Sequence, residues 1–184
     1  MFADDYKYTY ARKDQLIKES GIDADMPETF SNGYTFEKVA ILKVEGSDDD
    51  GSVLEDFLQI DIHYTNNDGK NINLCIEDAS HADSDDREHT STRQINGIAV
   101  NYDLDEYLLL PPSYEEKGLD PETQERLDND THFFVSIGTE KVEHQQFSNI
   151  SFIKGGSHYL ICGFDTDLTE DDLFDMASEI IALD

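Results

Sequence analysis

Six histidines, two cysteines and 42 acidic residues are the side chains here that could do chemistry. Ser157 and His158 adjoin in "GGSHYL", but neighbours on a strand point to opposite faces, so they make no nucleophile and base. There is no G-x-S-x-G, P-loop or dinucleotide fingerprint. Gly155 and Gly156 read as residues that allow positive φ in a hairpin, not as a phosphate cradle. With 42 carboxylates available, no acid/base pair can be singled out by spacing. The chain is therefore expected not to be an enzyme: no catalytic, cofactor-binding or metal residue is assigned, and no cofactor is expected.

Acidic clusters raise calcium as the alternative. In the EF-hand loop D-x-[DN]-x-[DN]-G-x5-E, placing Gly51 at the glycine puts Gly46 first and Phe57 last, and placing Gly69 there puts Tyr64 first and Cys75 last. Both lack the two carboxylates that matter most. Asp48, Asp49 and Asp50, or Asp83, Asp85 and Asp86, could still form an acidic cation-binding module. His81 and His89 with Asp85 make a zinc-like set, but at no standard spacing. Cys75 and Cys162 lie far apart in strand-like segments without Cys/His spacing, which points more to two buried thiols than to a bridge. The redox compartment stays open.

Charge narrows the partners. The formal net charge of -29 repels phosphate backbones and anionic lipid, so neither nucleic acid nor a membrane surface is an expected partner. Cations, basic proteins or plain solubility remain. A decoy imitating nucleic acid is disfavoured because the acids are scattered among loops and helix starts. No apolar run reaches the roughly 18 residues of a membrane span, and the N-terminus lacks a signal-peptide core.

The elements that must position these groups follow from periodicity. Leu16 and Ile17, ahead of Gly21, predict a helix over Lys13 to Ser20. Tyr34 to Val44 reads as a first strand. Leu58, Ile60, Ile62 and Tyr64 alternate with polar residues, as do Ile72, Leu74 and Ile76, giving an antiparallel hairpin with one wet face. "EDASHADSDDREHTSTRQ" reads as a solvated loop, and Ile98, Val100, Tyr102 and Leu104 as the inward side of the next strand. Residues 111 to 130 form an excursion with a helix from Pro121 capped by Asp120. "THFFVSIG" is a further strand, and "FSNISFIKGGSHYLICGF" a hairpin. Thr169 and Asp172 then open a final helix whose apolar stripe holds Leu173, Ala177, Ile180 and Ile181, with Leu168 and Leu173 as a hydrophobic staple. Tyr6, Tyr8 and Tyr10 alternate as on an edge strand or linker. The expected class is α+β: a twisted, mostly antiparallel sheet with helices on one face and the C-terminal helix docked on it. Residues 1–25 are expected to carry the N-terminal helix, and residues 26–184 to form a single domain.

"MPETFSNGYTFEKVAI", "LQIDIHYTNNDGKNINL", "INGIAVNY" and above all "ISFIKGGSHYLICGFDTDLTEDDLFDMASEII" resemble the DUF4367 domains. These are found mainly in Firmicutes, often at the extracytoplasmic C-terminal end of membrane-anchored proteins that include anti-sigma factors. The resemblance implies an extracytoplasmic sensory or protein-interaction domain, tethered through a segment outside this chain, with an unknown ligand or protein partner. It also implies that residues 1–25 are partly juxtamembrane linker, and it transfers no catalytic residue.

Overall fold

The computed structural model describes residues 12–47, 53–82, 88–114 and 118–183. Eight strands among them form one sheet: β1 Thr35–Ser47, β2 Val53–Thr65, β3 Asn71–Asp78, β4 Ser91–Ile95, β5 Ile98–Leu110, β6 Phe133–Ile137, β7 Glu143–Lys154 and β8 Ser157–Phe164. Their order is β1-β2-β3-β8-β7-β5-β4, with β6 beside the second half of β5. Every pairing is antiparallel except β5 with β6. Three helices accompany the sheet: α1 Lys13–Ser20, α2 Pro121–Asn129 and α3 Glu170–Ile181. The class is α+β, as expected.

Alternation puts the apolar residues on one face. Ile60, Ile62 and Tyr64 of β2, Ile72, Leu74 and Ile76 of β3, Tyr159 and Ile161 of β8, Ile150 and Phe152 of β7, and Val100 and Tyr102 of β5 are all buried. Against them pack Leu173, Phe174, Met176, Ala177, Ile180 and Ile181 of α3, and Leu16 of α1. Helix α3 lies over β5 and β7, and α1 over β2. The segment between α1 and β1 fills the rest through Ile22, Ala24, Met26 and Phe30, so residues before Met26 share the core. Each of these side chains larger than alanine contributes about 1.5–3 kcal/mol through removal from water.

Hydrogen bonds fix this layer. The Tyr64 hydroxyl donates to the Pro27 carbonyl at 2.8 Å, and the Asp25 N–H donates to Tyr159 Oη at 3.0 Å. Lys154 Nζ pairs with Asp25 at 2.5 Å and donates to the carbonyls of Ile180 and Leu183 at 3.0 and 2.7 Å. It therefore ties the C-terminal end of α3 to Asp25, at the end where a cation is favoured.

At its other end α3 has a capping box. Thr169 Oγ1 accepts from the Asp172 N–H at 3.2 Å, and Asp172 Oδ2 accepts from the Thr169 N–H at 2.9 Å. Replacing Thr169 with Ala is expected to cost about 1 kcal/mol, and with Ser much less. Urea titration of the two variants checks this; equal midpoints would show that the hydroxyl contributes nothing.

Some expectations needed correction. The stretch read as a loop through Gln94 contains β4, which turns through Asn96 (φ 51°) and Gly97 (φ 83°) into β5. Two successive positive φ values are the geometry that Asn-Gly favours in a two-residue hairpin. β1 runs three residues beyond Val44. Leu58 and Leu104, on the core side of their strands by alternation, are each left 39% exposed. Leu104 falls between the main core and a second cluster of Leu108, Leu110 and Phe133, packed with Leu127 of α2. The excursion is thus the crossover joining parallel strands β5 and β6, and its helix is capped by Asp120, which accepts from Glu122 and Thr123.

Candidate functional site

The other face of the sheet carries the chemistry. Strand register aligns Asp61, Cys75, Leu160, Ser151 and Asn101 in one row across β2, β3, β8, β7 and β5. The next row is His63, Asn73, Cys162, Asn149 and Asp103. Phe164, Phe147 and Asp105 follow at one end, and Gln59, Glu77, His158 and Ile153 at the other. Side chains two residues apart on a strand share a face, which is why each strand contributes alternate residues to these rows.

Histidines pair with carboxylates throughout this region. His63 Nε2 lies 3.2 Å from Asp61, His89 Nδ1 2.9 Å from Asp103, His132 Nδ1 2.8 Å from Asp105, and His158 Nδ1 3.0 Å from Glu77. At the edge His144 is 3.3 Å from Glu106, which Arg126 also grips with two bonds of 3.0 and 2.9 Å. His81 instead stacks on Phe57, centroids 4.6 Å apart. Asp103 and Asp105 are only 1% and 3% exposed, two like charges on one strand face. Asp103 also accepts from the Thr90 N–H at 3.1 Å, and Asp105 from Asn149 Nδ2 at 3.4 Å. Buried carboxylates require such partners, because an unpaired buried charge costs far more than a hydrogen bond returns.

His132 is the best-defined proton carrier. Its Nδ1 faces the Asp105 carboxylate and its Nε2 the Glu88 carbonyl at 2.9 Å. Both neighbours are acceptors, so both ring nitrogens donate only in the imidazolium. Burial by itself lowers the His132 pKa. The bonds to Asp105 and Glu88, with the charges of Asp105 and Asp103, outweigh it and raise the pKa above its usual value.

The nucleophile candidates point elsewhere. Ser157 Oγ donates to the Asp23 carbonyl at 2.6 Å on the helix side, while His158 turns to Glu77, so the two diverge as strand geometry requires. Cys75 and Cys162 are free. Contact with Cys162, then burial, then the nearby charges of Cys162 and Asp61 push the Cys75 pKa well up, which holds it as a thiol. A protonated thiol is a poor nucleophile.

A concavity of about 980 Å³ lies in this face. Asn101, Ser151, Asn149 and Leu160 line it together with Asp103 and Asp105. Glu77, His158 and His89 border it, and Phe57 and His81 stand at one end. Toward the other end Tyr107 stacks on Phe134 at 5.1 Å and meets Phe164 and Phe147 edge-on at 5.2 and 6.0 Å. Phe164 is 48% exposed. Amides, hydroxyls, carboxylates and aromatic rings around a depression of this size are the makings of a small-molecule site.

Of the zinc-like set, His81 and His89 take different partners, and Asp85 lies outside the described residues. So do Asp48, Asp49, Asp50, Asp83 and Asp86, and Tyr6, Tyr8 and Tyr10. Among the described residues no group of three or more ligating side chains is arranged to hold a metal ion, and no helix is long and apolar enough to cross a membrane. Asp103, Asp105, His132 and His158 were not singled out as a site by sequence. The available signal was the polar half of each strand alternation, which reads as solvated surface when the partners are unknown. Compared with known proteins, the chain matches no family model, no curated protein and no solved structure.

Proposed function

We propose that the chain is a non-enzymatic sensory or interaction domain, displayed outside the cell by a membrane-anchored bacterial protein of the anti-sigma type, and that it meets its ligand or partner on the open sheet face. The observation carrying the binding half is an asymmetry: the helices close one face of the sheet, while the other holds a lined concavity of about 980 Å³. The protonated Cys75 thiol and the divergence of Ser157 from His158 favour binding over covalent catalysis. The placement outside the cell rests on the sequence resemblance. A ligand seated on this face would bias the sheet, and the anchor would carry that bias inward.

Two experiments test the two halves. Amide spectra of the protein, titrated with a mixed set of neutral, anionic and cationic small molecules, should show saturable shifts concentrated at Asn101, Asp105, Asn149 and Ser151. Shifts confined to the helix side, or none anywhere, would remove the open face as the site. Immunoblots of fractionated cells, with and without protease treatment of protoplasts, should show a membrane-bound species clipped from outside. A protease-resistant cytosolic species would remove the extracytoplasmic placement.

A further inference from the structure

We infer that Cys75 and Cys162 form a two-thiolate site for a soft monovalent metal ion of the copper(I) class, on the open sheet face beside the concavity. Neither cysteine is among the residues lining the concavity, so this is a separate site.

Placement is the first ground. Across β3 and β8 Asn73 pairs with Cys162 and Cys75 with Leu160, so the two cysteines are diagonal neighbours on one face. Both are free, and their thiols interact. A free cysteine usually packs as a small hydrophobe in a core. Neither of these belongs to the core that α1 and α3 close. Cys75 is flanked in its row by Asp61 and Leu160, and Cys162 by Asn73 and Asn149. Apolar packing therefore does not account for two thiols side by side in mostly polar company.

Reach and ligand count select the ion. Diagonal partners across an antiparallel pair stand about 7–8 Å apart, beyond the roughly 4.4–6.8 Å between Cα atoms that a disulfide spans. Two collinear metal–sulfur bonds of about 2.3 Å, the length of a zinc–thiolate bond, separate the sulfurs by about 4.6 Å and so suit the wider spacing. Zinc itself asks for four ligands, and among the described residues no group of three ligating side chains is arranged for a metal. Calcium and magnesium ask for oxygen. A soft monovalent ion is satisfied by two thiolates, and thiolate sulfur selects it. Charge assists: Asp61, 7% exposed, accepts from Cys75 Sγ at 3.6 Å, and the chain's net charge of -29 draws a cation in. Because Cys75 is held as a thiol, a metal must displace its proton, which a thiophilic ion does and a hard ion does not. On binding, two S–H bonds break, two sulfur–metal bonds form and two protons pass to solvent. The oxidation state of the metal does not change.

The test is an anaerobic titration of the whole chain with copper(I), supplied from bicinchoninate as a competing chelator. One ion per chain is expected, with thiolate-to-copper charge-transfer absorption in the ultraviolet and amide shifts centred on Cys75, Cys162 and Asn73. X-ray absorption should find two sulfur neighbours per copper and no nitrogen. Losing a partner outside the ligand set already costs about 10–100-fold in metal affinity, so Cys75→Ser and Cys162→Ser, which each remove a ligand, should each weaken copper at least about a hundredfold. Far-UV circular dichroism should stay unchanged in both. An equal concentration of zinc should leave the copper in place. If a serine variant misfolds, the sulfur count on the wild-type chain decides. Copper left with the chelator would overturn the assignment. So would copper retained by the double serine variant, a histidine nitrogen in the copper shell, or shifts confined to the concavity.

Discussion

Phe174→Ala is expected to lower the unfolding free energy by about 3–5 kcal/mol, the usual cost of deleting a buried phenyl ring. Phe174 is 3% exposed and packs 6.3 Å from the Tyr102 ring, at the contact between α3 and β5. The Arg93 guanidinium sits 4.0 Å over its ring and also pairs with Glu170 and Asp171 at 2.8 Å each. Loss of the ring therefore removes the platform that orients this arginine as well as the packing. The ion pairs alone are exposed and contribute little. Arg93→Ala should consequently cost well under half as much as Phe174→Ala. Chemical denaturation with a common slope reads both. A Phe174→Ala loss below about 1 kcal/mol would mean that the C-terminal helix is not what closes the core.

The helix-side architecture was legible because its signals are local. Thr169 and Asp172 lie three residues apart, Asp120 stands next to Pro121, and Gly155 and Gly156 take φ of 62° and 89° at their turn. Alternation placed Ile60, Ile62, Ile72 and Leu74 on one face. Two kinds of element escaped. β4 is "STRQI", with almost no apolar alternation; edge pairing to β5 holds it extended. The parallel pairing of β6 depends on a crossover of more than twenty residues, and no residue spacing encodes it.

The candidate site was far less legible. His158 meets Glu77 from 81 residues away and His132 meets Asp105 from 27. Such pairs exist only once the register of β3, β8, β7 and β5 is set. Aspartates at alternate positions are ordinary on a solvated strand, and nothing within β5 distinguishes Asp103 and Asp105 from surface acids. Their burial comes from what covers them, namely His89 from the segment before β4 and His132 from the one before β6. Where the structure departs most from local reading, it gathers ionisable groups.

The second large effect is expected there. Asp105→Ala should cost about 1–3 kcal/mol at pH 6, because it leaves His132 Nδ1 and Asn149 Nδ2 without their acceptor in a largely buried setting. Removing one of two like charges on β5 relieves repulsion on Asp103 and offsets part of the loss. The 2.8 Å contact with His132 is the larger influence, since Asp103 stands two positions along the strand. The pH dependence separates charge from shape. The His132 pKa in the folded state is raised above 6.5, so its stabilisation is fully present below that unfolded value and is lost as pH rises through the higher folded one. Wild type should therefore exceed Asp105→Asn by more at pH 6 than at pH 9, while the asparagine variant, which keeps an oxygen acceptor, remains more stable than Asp105→Ala at both. Parallel stability curves for wild type and Asp105→Asn across that interval would show that the charge of Asp105 does not hold the imidazolium.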